Sequence, residues 1–171
     1  MGEQNIEEFA DESSRQAFMK SLLEEVRALE AMLEKGMVES GVSRIGAEQE
    51  MFLINSAQQP ALTALDVLGK LDDERFTHDL GLLNVEANLS VQEFKSDCLS
   101  RMEAEAQDVY AKAREAAHLC DSEIALVGIL PTLTTKNLGL DSMVPIPRYH
   151  ALNNAIMALR GDDLQFTING I

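Results

Sequence analysis

Between residues 13 and 35 the apolar positions Phe18, Leu22, Val26, Leu29 and Leu33 recur at steps of three and four, with Glu, Lys and Arg between them. That period lines them up on one stripe and predicts a long amphipathic helix. Asp11 or Ser13 is placed to cap its start, and Gly36 falls where a left-handed residue ends a helix. The stripe fits either packing on the chain's own domain or pairing with another subunit or domain.

The pattern then shortens. Residues 44–54 read as a strand, clearest in their second half, and the turn-prone residues 55–60 follow. Residues 61–71 predict a short helix, 81–89 a second strand, and the Ala-, Glu-, Met- and Arg-rich residues 92–119 a second long helix. Residues 123–130 form a continuous apolar run of strand length, closed by Pro131. Residues 132–147 hold turn formers without a period and read as loop. Residues 148–160 are helical, Gly161 stops them, and 164–168 alternate like a strand. There is no tandem repeat and no low-complexity segment. Interleaved strands and helices predict an α+β chain. Residues 1–40 are expected to be a helical extension and 41–171 a domain, incomplete because the chain stops straight after a strand.

The chain has 171 residues, 46% of them apolar and 25% charged, which is a globular composition. Fourteen basic residues against 29 acidic ones give a formal charge of −15. Nucleic acid is thereby disfavoured as a main partner, and so is an anionic membrane surface. An anionic nucleotide stays compatible with this charge where divalent metals sit between carboxylates and phosphates. The first residues carry no basic, apolar leader, and no apolar run reaches membrane-spanning length, so a cytoplasmic location is expected. Cys98 and Cys120 have no metal or redox spacing and read as buried thiols in a reducing compartment.

Candidate chemistry gathers on the strands. Glu48 and Glu50, two apart, point to one face of a strand. Neighbouring carboxylates repel, and a divalent cation relieves that repulsion; hard oxygen ligands of this kind suit Mg²⁺. Glu86 and Asn88 repeat the arrangement, with Val85 and Ala87 on the opposite face. Each pair fits a solvated acidic stripe as well as a cation site. His78-Asp79, just before the second strand, fits an orienting pair or a surface loop. Thr132, after the turn at Pro131, is placed to reach a ligand. Arg148 opens a helix, where a cation either clamps a carboxylate or phosphate or joins a surface ion pair. The sequence contains no Gly-x-x-x-x-Gly-Lys phosphate loop, no Gly-x-Gly-x-x-Gly, no Gly-x-Ser-x-Gly and no His-Glu-x-x-His.

Four stretches stand in order: Arg44-Ile-Gly-Ala-Glu-Gln-Glu-Met-Phe-Leu, Asn84-Val-Glu-Ala-Asn, Gly128-Ile-Leu-Pro-Thr-Leu, and Arg148-Tyr with Leu152-Asn153 after it. Together they resemble the second-type glutamate–cysteine ligase family of bacteria and plants, the carboxylate–amine ligases. The helical preamble is similar to longer bacterial members that can carry CBS domains, none of which is visible here. The resemblance implies a glutamine-synthetase-like fold, an antiparallel sheet backed by helices. It implies an ATP- and Mg²⁺-dependent reaction in which glutamate is activated as a γ-glutamyl phosphate and an amine such as cysteine forms the amide, as in glutathione biosynthesis. On this chain it makes Glu48, Glu50 and Glu86 metal ligands, Asn88 and Thr132 substrate-binding residues, and Arg148 a catalytic clamp. Family members continue into strands bearing His, Gln and further basic residues. The expectation is therefore the N-terminal part of such a ligase, inactive alone, completed by a missing C-terminal half or by a homo-oligomer. The competing expectation is a non-catalytic interaction module, built on the N-terminal helix and a vestigial acidic cation site.

Overall fold

The computed structural model describes residues 12–160. The expected stop at Gly161 and strand at 164–168 lie outside them. The chain is mixed α+β and falls into two compact units: Val42–Val144, and the described residues up to Gly41 together with those from Pro145. None of the helices among the described residues is long and apolar enough to cross a membrane.

In the first unit along the chain, helix α1 (Glu12–Glu34) follows the three-four period, and none of its residues is buried. Gly36 adopts φ 64° just past its end, the left-handed conformation that only glycine takes without steric penalty. The same unit holds α4 (Pro147–Arg160), with proline at its first position, where the missing N–H goes unmissed.

The Val42–Val144 unit is built on a four-stranded antiparallel sheet. Its strands are β2 (Glu48–Ile54), β3 (Phe76–His78), β4 (Asn84–Asn88) and β6 (Glu123–Ala125), in the spatial order β3-β4-β2-β6. A separate ribbon pairs β1 (Arg44–Ile45) with β5 (Gln92–Glu93). The expected strand at 44–54 is thus two strands in two sheets, parted at Gly46-Ala47. Helices α2 (Ala64–Leu68) and α3 (Cys98–His118) complete the unit.

Strand alternation explains the core. Met51 and Leu53 of β2 and Val85 and Ala87 of β4 turn inward and are fully buried. They pack with Ala64 and Val67 of α2 and with Val109, Ala113, Ala116 and Ala117 of α3. The alanines at steps of three and four let the helix axis approach the sheet closely. An ion-pair network clamps the edge of this layer. Arg75 donates from Nη2 to Asp73 and to Asp108, each at 2.6 Å, and from Nη1 to Glu105 at 3.3 Å. Lys112 reaches Asp73 at 2.9 Å. The start of β3 is thereby tied to α3.

Three expectations change at this stage. The helix expected at 92–119 begins only at Cys98. Gln92 and Glu93 pair instead with Ile45 and Arg44, and Ser96 at φ 52° turns the chain, so strand pairing overrides local helix propensity. The apolar run at 123–130 is strand only to Ala125, because pairing with β2 ends there; Leu126, Val127 and Ile129 are exposed. The expected loop at 132–147 holds two 3₁₀ turns, Thr135–Leu138 and Leu140–Ser142, and is laced to residues 80–82. Leu82 N–H donates to Ser142 at 2.8 Å and Val144 N–H to Leu80 at 3.0 Å.

Candidate functional site

The outward face of the four-stranded sheet carries the polar positions that alternate with the core. β2 and β4 run antiparallel with Glu50 opposite Glu86, Glu48 opposite Asn88 and Phe52 opposite Asn84. β3 sets Thr77 opposite Glu86 on the other side. The sheet therefore brings together Glu48, Glu50, Glu86 and Asn88, four of the six residues singled out in the sequence. Glu48 and Glu50 are exposed, whereas Glu86 is half-buried in the middle of the face.

Position decides the electrostatics. Burial raises the carboxyl pKa of Glu86 above its ordinary value, and the charges of Glu48, Asp79 and Glu50 raise it further. Asn88 opposes this by donating from Nδ2 to Glu86 Oε1 at 2.9 Å. Asp79 is held by Asn84, whose buried amide donates to its Oδ2 at 3.1 Å. Asp79, read from the sequence only as an orienting partner of His78 or as surface loop, belongs to this face, and so does Thr77, which was not singled out. Thr77's strand β3 is three residues long, too short for a visible alternation, and Asp79 follows it outside the strand. His78 in fact ends β3.

Thr132 lies elsewhere in the unit. Its hydroxyl donates to the backbone carbonyl of Gln58 at 2.8 Å, pinning the turn that follows β2. The acidic groups occupy the first half of β2, so Thr132 serves the opposite end of that strand. Arg148 is half-buried on the first turn of α4, in the other unit.

An open groove of about 290 Å³ lies beside Glu48 and Asn88, bounded also by Gly46, Ala47, Leu89 and Val91. Its volume is at the low end for a ligand pocket. The donors on the face are hard oxygens of the kind Mg²⁺ takes. Among the described residues, no three or more His, Cys, Asp or Glu are gathered closely enough to hold a metal ion by themselves. Mg²⁺ rarely uses an all-protein cage; one or two carboxylates with water and substrate phosphate oxygens are its usual shell. The chemistry of the face fits such a shared shell, and its geometry does not make a closed one. Compared with protein-family models, with curated proteins and with solved structures, the chain matches none of them.

Proposed function

We propose that the Val42–Val144 unit is part of an ATP- and Mg²⁺-dependent carboxylate–amine ligase, glutamate–cysteine ligase-like, and that the outward sheet face is where its phosphates are held. The finer fold reading, a glutamine-synthetase-like sheet, belongs to the same proposal. The observation that carries it is the register of β2 on β4, which sets Glu50 against Glu86 and Glu48 against Asn88 on one face. The ordered motifs of the sequence supply the reaction class.

In this reading Glu48, Glu50 and Glu86 would hold Mg²⁺. When bound, Mg²⁺ neutralises the phosphates and the charge that develops as a phosphoryl group moves. Asn88 orients the Glu86 carboxylate through its amide and leaves its carbonyl oxygen to accept from a substrate N–H or O–H. Arg148 lies in the other unit and has no part in the site proposed here.

The test is calorimetric titration of the chain with Mg²⁺ in the presence of ATP, repeated with Glu50→Gln and Glu86→Gln. Saturable binding that weakens at least tenfold in each variant is the expected result. Binding of equal strength in wild type and both variants, or none in wild type, overturns the proposal.

A further inference from the structure

Helix α3 turns one stripe to the interior. Cys98, Val109, Ala113 and Ala116 are buried along it, and Met102 packs against the core. The steps of four, three and four from Cys98 through Met102 to Val109 pass through Glu105. An acid therefore stands where the helical period places an apolar residue. Its side chain keeps only 15% exposure. A carboxylate so enclosed is costly unless its oxygens are bonded.

The bonds of Glu105 lead to the end of the sheet that carries Asn88. Ser90 donates to it twice, from its N–H to Oε2 at 3.0 Å and from its hydroxyl to Oε1 at 2.8 Å. Arg75 donates from Nη1 to Oε1 at 3.3 Å. Ser90 follows Asn88 by two residues. Arg75 precedes β3, and its backbone carbonyl accepts the Asn88 N–H at 2.8 Å. One carboxylate thus holds the segment after Asn88 and the segment that accepts its N–H. Asn88 in turn donates from Nδ2 to Glu86 on the outward face. Arg75 has Asp73 and Asp108 as further partners, so charge balance alone does not call for an acid at this position. What Glu105 adds is the hold on Ser90.

We infer that Glu105 is a positioning residue for the acidic face. By anchoring Ser90 and Arg75 from the core side of the sheet, it holds Asn88 where its amide orients the Glu86 carboxylate. The consequence for ligand binding rests on the function proposed above; the effect on Asn88 does not.

The experiment is amide hydrogen exchange read by NMR on the whole chain without ligand, in wild type, Glu105→Leu and Glu105→Gln. Leucine completes the apolar stripe, so it removes the bonds while the helix keeps its packing. Glutamine keeps an oxygen for Ser90. The reference is Leu53, fully buried in β2, whose N–H donates to the Leu83 carbonyl at 2.8 Å. Glu105→Leu is expected to speed exchange at Asn88 and Ser90 about tenfold relative to Leu53, and to move the Asn88 side-chain amide signals toward those of a free amide. Glu105→Gln is expected to recover most of the protection. Rates at Asn88 and Ser90 that stay at wild-type values, or rise only as much as Leu53, overturn the inference. So does a Glu105→Gln chain no better protected than Glu105→Leu. Mg²⁺ titration with ATP reads the link to the site, and Glu105→Leu is expected to weaken binding about tenfold. A variant with a loosened Asn88 that binds as tightly as wild type overturns the positioning role. A wild type that binds nothing overturns the function proposed above, and the exchange rates then decide the role of Glu105 by themselves.

Discussion

Glu50 of β2 stands directly opposite Glu86 of β4, in register and on the same face of the sheet. Carboxylates so placed have their Cβ atoms only about 5 Å apart and oppose the pairing that brings them together. The apolar inner face makes this tolerable, because the same register seats Met51 and Val85 opposite each other in the core. Shifting one strand by one residue would relieve the acids and expose the core.

Neutralising Glu86 is therefore expected to stabilise the chain in the absence of divalent cations. Glu86→Gln keeps a carbonyl oxygen for Asn88 and removes a charge, for a gain of up to about 1 kcal/mol in urea unfolding. The same substitution is expected to abolish any stabilisation of the wild type by Mg²⁺. A variant less stable than wild type, or equally responsive to Mg²⁺, contradicts this account.

Acidity gives a second expectation. The carboxyl of Glu86 titrates above its unfolded value, chiefly through burial. For a raised acid, folding is penalised once the group is ionised, so its penalty is full above the folded pKa and vanishes below the unfolded one. Cation and proton compete for the same oxygens. Mg²⁺ affinity is expected to fall as pH drops from neutral into the carboxylate range. Calorimetry in two buffers of different ionisation enthalpy reads the proton released on binding. Equal heats in both buffers across that range would count against Glu86 as a ligand.

At the sheet edge the sign reverses. Hydrogen bonds from Arg75 and Lys112 hold the Asp73 carboxyl well below the usual carboxylate range. A lowered acid contributes stability above its unfolded pKa, and that contribution is lost as pH falls through the folded value. Asp73→Asn is expected to cost about 1–2 kcal/mol at neutral pH, where Arg75 and Lys112 lose the carboxylate they share. The gap begins to narrow below about pH 4, where the carboxyl of the unfolded chain protonates, and closes as pH falls through the folded value. A gap independent of pH would place the effect in packing rather than in charge.

The turn after β2 offers a backbone test. Gln58 holds φ 60°, a conformation that costs most side chains about 1 kcal/mol. Asn55 Oδ1 accepts from the N–H groups of Ala57 and Gln59, and Thr132 donates to the Gln58 carbonyl. Gln58→Gly keeps every one of these bonds and is expected to raise stability by about 0.5 kcal/mol. Thr132→Val removes the hydroxyl and is expected to cost about 1 kcal/mol. Thermal unfolding of the two variants checks both, and a destabilised Gln58→Gly chain would contradict the strain.

Local pattern alone determined a good deal of this molecule. The helical stripe from Leu22 to Leu33, the Ala-rich face of α3, the alternation Glu48-x-Glu50 and the alternation Glu86-x-Asn88 are all carried by neighbours within a few residues, and each reads directly as a face. The mixed α+β class follows from those elements. Tertiary structure decided what those faces meet. Nothing near Gln92 and Glu93 announces that they leave a helix-forming segment to pair with Arg44 and Ile45, since that preference comes from residues some fifty positions away. The apolar run after Glu123 carries the same composition on either side of Ala125, and only the extent of pairing with β2 separates strand from exposed chain. Asp79 joins the acidic face from the loop just after β3, a strand of three residues too short to show a period. The two glutamate pairs were legible one strand at a time. Their convergence was set by strand register, and register is fixed where Met51 and Val85 are buried together, a contact between distant residues that no local pattern encodes.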